Sequence, residues 1–167
     1  MSGDSSDGDA ALGHRPLEAP ELDALESQIS KWLDAARHDL PAIEAVDRGE
    51  PGERRWYVRL AGEQKDHITI WFTLRQRSLA FEVQVIPAPE ENHAEFYEMF
   101  LRRNDRLGGM AFAIGDEDAM YLVGRLPNEW IDEAALDRVI GSAWAYVEQA
   151  FRPALGVGFA SRLRGRP

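Results

Sequence analysis

Residues 54–86 decide the fold, and they read RRWYVRLAGEQKDHITIWFTLRQRSLAFEVQVI. Large apolar side chains alternate with polar ones in three successive segments, 54–60, 67–76 and 79–86. A period of two buries one set of side chains and leaves the other set partly in water. Because the links at 61–66 and 76–78 are short, the stretch predicts three strands of an antiparallel meander.

Helical and strand patterns flank this meander. Apolar residues three and four apart predict helices over 20–38, from 92, and over 132–151, with Pro153 ending the last of these. Asn92 and Glu95 have the spacing of a capping box. Two further strands are predicted at 110–114 and 120–126, and a short extra strand is possible near 43–46. The order α-βββ-α-ββ-α predicts an α+β fold with a mostly antiparallel sheet.

The length and composition predict one domain between two polar ends. A chain of 167 residues with 44% hydrophobic residues suffices for a single packed core. Residues 1–16 are rich in Ser, Gly and Asp, so we expect them to be disordered. The domain is predicted over 17–161, and residues 162–167 form a short basic tail.

Several classes of protein are excluded or disfavoured by composition. The chain has no cysteine, which rules out disulfides, zinc–thiolate sites and cysteine nucleophiles. Its net charge of −10 disfavours nucleic acid as a partner, because capture of phosphate needs a basic face. The acidic N-terminus lacks the pattern of a signal peptide, and no apolar run approaches the length of a membrane span. We therefore expect a cytoplasmic protein without a membrane partner.

An ordered set of short segments carries a family resemblance. These segments are ENHAEFYEMFLRRN at 91–104, MAFAI at 110–114, YLVGRLP at 121–127, and Gly158-Phe159-Ala160-Ser161. In order and spacing they resemble the YbjN-domain family in its actinobacterial form, which is similar in fold to the type III secretion chaperones. The resemblance covers about residues 56–161.

The resemblance implies a binding role. The family is described as sensory or regulatory and as chaperone-like, without an established reaction. The secretion chaperones bind extended segments of client proteins on an exposed surface, often as dimers. The resemblance names no client for this chain, because function belongs to a site and not to a fold.

Motifs that would carry metal or nucleophilic chemistry are weak. Glu90, Glu91, His93 and Glu95 are the densest acid and histidine cluster, but they also suit a charged helix start. The acidic run at 116–118 is typical of a solvated turn, and the glycines at 156 and 158 follow a helix, not a strand. We therefore predict no catalytic residue, no metal and no cofactor.

The second face of the predicted meander is the candidate binding surface. It should carry Tyr57, Arg59, Thr69, Trp71, Thr73, Glu82 and Gln84. Aromatic and arginine side chains among amide and hydroxyl groups are typical of recognition surfaces. The alternative is that a helix or another part of the sheet covers this face. Arg103 and Arg125 are further candidates, each for a buried ion pair or for gripping an anionic group.

These observations favour a non-catalytic protein-binding module, chaperone-like or regulatory, over two alternatives. One alternative is a small-molecule sensor that binds a metabolite between sheet and helices, and the other is an enzyme of unrecognised type. We also expect a homodimer, formed by the second helix and the strands at 110–126, because strand edges and apolar surface favour pairing. Trp71 should lie outside that contact.

Overall fold

The computed structural model describes residues 14–165 of the chain. Along the chain the elements are α1 (Ala19–Asp39), β1 (Ile43–Arg48), β2 (Arg55–Ala61), β3 (His67–Leu74), β4 (Ser78–Ile86), α2 (His93–Arg103), β5 (Met110–Ile114), β6 (Met120–Pro127), α3 (Glu133–Gly158) and α4 (Ala160–Arg164). The predicted α+β class is confirmed, and the possible strand near 43–46 is present as β1.

Six strands among the described residues form one sheet in the order β1-β2-β3-β4-β6-β5. Every pairing is antiparallel, as the short links of the meander predicted. The non-consecutive neighbours are β4 and β6, because the chain leaves β4 through α2, forms the outer strand β5, and returns between them. This crossover places the second half of the chain directly beside the predicted meander.

One hydrophobic core joins the helices to a single face of the sheet. The inward set of the meander, which includes Trp56, Ile70, Phe72 and Phe81, is fully or almost fully buried. The same cluster contains apolar residues of α1, α2 and α3. Fully burying each such side chain stabilises the fold by roughly 1.5–3 kcal/mol. The alternation of the sequence therefore determined which face is internal.

Helix α3 continues past the proline that was predicted to stop it. That prediction was wrong, since α3 runs to Gly158 with Pro153 inside it. An internal proline removes a hydrogen bond and crowds the preceding turn, at a cost of about 3 kcal/mol. The segment after Pro153 compensates by packing, because Ala154 and Gly158 are buried. Packing that the local sequence does not reveal thus extends the helix.

The start of α2 does not use the predicted capping box. Asn92 has φ of 52°, in the left-handed region, and its side chain caps no helical N–H. Its amide nitrogen instead donates to the carbonyl oxygen of Val157, at 2.9 Å. The backbone N–H of Glu90 also donates to Gly158, at 2.9 Å. The start of α2 is therefore fixed to the end of α3 by tertiary bonds.

The edge strand β5 is partly blocked by a side chain. The Asn104 amide accepts from the backbone N–H of Phe112 at 2.7 Å and donates to its carbonyl at 3.0 Å. These are backbone groups that do not pair with β6 and would otherwise face a further strand. Asn104 therefore occupies the middle of this sheet edge, a common protection against unwanted pairing.

The predicted domain boundaries stay a prediction. Of the segment 1–16 that we expected to be disordered, residues 1–13 lie outside the described residues, as do 166–167 of the tail. His14 accepts a hydrogen bond from Arg77 through its carbonyl, at 2.8 Å, and the Leu17 N–H donates to Gln76 at 2.8 Å. Across residues 14–165 no helix has the length and apolar composition that crossing a bilayer requires.

Candidate functional site

The face of the sheet opposite the helices, here called the outer face, carries most of the predicted site residues. Because residues paired across strands share a face, the register assigns to it Arg55, Tyr57, Arg59, Thr69, Trp71, Thr73, Ala80, Glu82, Gln84, Tyr121, Val123 and Arg125. None of these residues is buried. Within residues 14–165 no helix covers the outer face, since the helices pack on the other one.

A row of directly paired residues crosses the middle of the outer face. Tyr57 pairs with Trp71, Trp71 with Glu82, and Glu82 with Val123. The Tyr57 and Trp71 rings meet edge to face, with centroids 5.6 Å apart and planes at 84°. Such a pair contributes about 0.5–1.5 kcal/mol beyond burial and restrains the indole. Trp71 is nevertheless 42% exposed, so a large apolar surface is held ready for contact.

The arginines of the outer face differ in their partners. The Arg59 Nε lies 3.2 Å from a carboxylate oxygen of Glu44, and the Arg55 Nε donates to the Thr73 hydroxyl at 3.3 Å. Arg125 differs from both, because one of its terminal nitrogens is shielded from solvent and has no hydrogen-bond partner among the described residues. The buried ion pair considered for Arg125 is therefore not seen, and its guanidinium keeps free donor capacity.

Tyr121 adds a phenol group to the outer face. It pairs with Gln84 across the β4–β6 junction. Partial burial raises the pKa of Tyr121 above its ordinary value, and the negative charges of Asp116, Glu82 and Glu117 raise it further. The phenol therefore keeps its proton to more alkaline pH than an ordinary tyrosine does, and it offers a hydrogen-bond donor beside the Gln84 amide.

Arg103 does not join the outer face. It ends α2, on the helical side of the sheet, where it lines a cavity bordered by α2, β5 and α3. Its Nε is shielded from solvent without a hydrogen-bond partner in the part of the chain that the structure describes. The predicted site therefore separates into two places, the outer face and this cavity.

The acidic cluster before α2 is engaged in structural contacts. The Glu91 carboxylate accepts from the Ser161 backbone N–H at 2.5 Å and from its hydroxyl at 3.0 Å. Chiefly because of that backbone bond, the pKa of Glu91 lies below its ordinary value. Glu90 forms an ion pair with Arg162, at 2.6 Å. Between residues 14 and 165 no group of three or more His, Cys, Asp or Glu side chains is placed to hold a metal.

On β6, sequence reasoning did not assign Tyr121 and Val123 to the outer face. The sequence does contain a pattern that groups them on one face, because both alternate with the buried residues Met120 and Leu122. That alternation marks a face of β6 but does not indicate which strand lies beside it. The β4–β6 pairing supplies that information, and it is a tertiary contact.

Comparison with protein families gives one match over most of the chain. Residues 25–155 match the model of the YbjN family, described as "Putative bacterial sensory transduction regulator". An uncharacterised protein of Mycobacterium tuberculosis is 34% identical over 107 residues, and one of Mycobacterium leprae is 32% identical over 113 residues. These matches cover 64% and 68% of this chain but only 58% and 61% of the relatives, so the chain matches little more than half of their length.

Two solved structures each contain a chain that is similar to this one. One chain of the HopA1–SchA chaperone–effector complex matches with a TM-score of 0.53 and 10% identity, covering 83% of this chain and 99% of that one. A chain of the ExoU–SpcU complex of the Pseudomonas aeruginosa type III secretion system matches with a TM-score of 0.46 and 15% identity, covering 74% and 97%. At such low identity, the first of these likenesses shows the fold alone.

Proposed function

The chain belongs to the YbjN family, and we propose that it is a non-catalytic module that binds a segment of a client protein on the outer face of its sheet. The observation that carries this proposal is the central row, in which the Trp71 ring packs against Tyr57 and stays 42% exposed. Interface hot spots are enriched in tryptophan, tyrosine and arginine, and this face presents all three.

The outer face also has the chemistry that an extended segment requires. Glu82 and Gln84 are exposed on β4, and Arg125 has donor capacity that no described residue uses. Polar groups around an aromatic anchor fix the orientation of a bound segment, while the anchor supplies most of the affinity. The HopA1–SchA structure, which contains a chain of similar fold, is a chaperone–effector complex, and this agrees with a client-binding role for the outer face.

Site-specific crosslinking tests this proposal in the full chain. A photoreactive phenylalanine derivative at position 84 should crosslink to a protein client in cells, and mass spectrometry identifies the crosslinked segment. We expect Trp71→Ala to reduce this crosslink at least tenfold, because the variant removes the aromatic anchor. A peptide of the identified segment then permits measurement of affinity by calorimetry.

Trp130→Ala is the matched control, because Trp130 is also a highly exposed tryptophan, at 63%, but lies outside the outer face. It should leave the crosslink and the affinity unchanged. Equal crosslinking by wild type and Trp71→Ala would refute the outer face as the binding surface, and so would an equal loss in both variants.

The proposal includes a homodimer formed through α2 and the β5–β6 hairpin. Leu101 on α2 and Ile114 at the end of β5 are 72% and 56% exposed, and their two elements contact each other. A second copy would cover this apolar surface and leave Trp71 free.

Sedimentation equilibrium distinguishes the two surfaces. Leu101→Asp combined with Ile114→Asp should convert the dimer to a monomer, whereas Leu40→Asp and Trp71→Ala should keep the mass of the wild type. A monomeric wild type, or a monomer produced by Trp71→Ala, would contradict the proposed contact. The expected cytoplasmic location and the absence of a nucleic-acid partner remain predictions of the same proposal.

A further inference from the structure

A second candidate site lies on the helical side of the sheet. A cavity of about 350 Å³ opens between the end of α2, the turn that follows it, β5 and α3. Arg102, Arg103 and Arg106 line it together with Tyr146 and Gln149. Its volume is in the range of small-ligand pockets.

The charges of this cavity are not balanced within the described chain. Arg102 is neutralised by Glu98, whose carboxylate lies 2.6 Å from the guanidinium. Arg103 and Arg106 make no ion pair with any of residues 14–165, and none of the lining residues is acidic. Two uncompensated positive charges thus stand together in a chain whose net charge is −10.

The position of Arg103 at a helix C-terminus does not account for its environment. Cations at that end interact favourably with the helix dipole, and they often donate to the last carbonyls. The Arg103 Nε is shielded from solvent and donates to no described group. A shielded donor without a partner destabilises the fold, and a bound acceptor would remove that penalty.

Hydrogen bonds preorganise the wall of the cavity. The Asn104 amide ties the turn after α2 to both backbone polar groups of Phe112. The Tyr146 hydroxyl accepts from the Gly108 N–H at 3.2 Å, which leaves its own proton free to donate. Neighbouring structure therefore holds the backbone of the turn that carries Arg106 before any ligand binds.

We propose that this cavity binds a small oxyanion, either carboxylate or phosphate, with Arg103 and Arg106 as its ion-pair partners. Guanidinium groups match the paired oxygens of both anions. The Tyr146 hydroxyl and the Gln149 amide supply further donors, and Met99 with Phe112 provides an apolar wall for a short carbon chain. The oxyanion belongs either to a free small molecule or to the C-terminus of a bound protein segment, and the chemistry is the same for both.

Calorimetric titration of the full chain with inorganic phosphate, glutarate and a short peptide ending in a free carboxylate tests the site. We expect millimolar or tighter binding of at least one probe, and at least a tenfold loss of affinity in Arg103→Gln combined with Arg106→Gln. Binding of phosphate or glutarate supports a free ligand. Binding of the peptide alone, with loss on amidation of its C-terminus, supports a protein terminus.

Arg138→Gln combined with Arg152→Gln is the matched control. Both arginines are exposed on α3 and lie outside the cavity, so the variant changes net charge equally. It should bind the probes as the wild type does, and Trp71→Ala should do so as well, since the outer face is a separate site. An equal loss of affinity in the control variant would overturn the proposal. So would a failure of every probe to bind at about 10 mM, a concentration high enough to occupy a weak site.

Discussion

Glu148 is a buried carboxylate whose removal should destabilise the fold. It lies on α3, is 8% exposed, and accepts hydrogen bonds from three consecutive backbone N–H groups of the β2–β3 turn. The distances are 3.0 Å from Glu63, 2.6 Å from Gln64 and 3.2 Å from Lys65. One helical turn earlier, the Trp144 indole N–H donates to the carbonyl of Ala61, at 2.9 Å. The two side chains together fasten the turn to α3.

The magnitude follows from the number of bonds lost in Glu148→Ala. Each bond contributes about 1 kcal/mol net, since water partly replaces the carboxylate at this partly exposed turn. Three bonds give a loss of about 3 kcal/mol in the free energy of unfolding, which corresponds to roughly 6–12 °C in Tm for a domain of this size. Glu148→Gln keeps one acceptor oxygen and should lose about half as much.

Urea denaturation with hydrogen exchange measures this prediction. The midpoint should fall without a change in slope, and the amides of residues 63–65 should lose protection beyond the global change. Asp137→Ala is the control, since Asp137 is an exposed acidic residue on the same helix. A loss below about 1 kcal/mol in Glu148→Ala, or one equal to that of the control, would show that the three bonds do not stabilise the turn.

Three further outcomes are expected. Trp56→Ala should cost about 3–5 kcal/mol in urea denaturation because Trp56 is fully buried, whereas Trp71→Ala should cost about 1 kcal/mol; similar losses would contradict the assignment of the two faces. Gly158→Ala should lower the stability by about 1–3 kcal/mol, because a Cβ there would lie 2.7 Å from a core aromatic ring, and an unchanged Tm would contradict that close approach. Since the Ser161 N–H lowers the pKa of Glu91 in the fold, this carboxylate stabilises the protein above the ordinary glutamate pKa, and the contribution is lost as the pH falls through the lowered value. Glu91→Gln should therefore reduce stability at neutral pH but not at strongly acidic pH, and a deficit that persists in acid would argue against this linkage.

Local patterns in the sequence were sufficient for the internal face of the meander and for most of the secondary structure, but not for the end of α3 or for α4. The alternation over 54–86 reflects the two faces of a strand, and each strand expresses it without information from its neighbours. The first helix was placed within a residue at each end, over Ala19–Asp39. The candidate outer face followed from the same alternation, because residues that are not buried must lie on the other side.

Tertiary structure alone decided three other features. The return of β6 beside β4 brought Val123 to the outer face, and the packing of Gly158 carried α3 through its proline. The convergence of α2, β5 and α3 gave Arg103 a cavity instead of an ion pair. Each feature depends on residues far apart in sequence whose approach is set by the whole core. A periodic pattern records which side of an element is buried, but it does not record what that side meets.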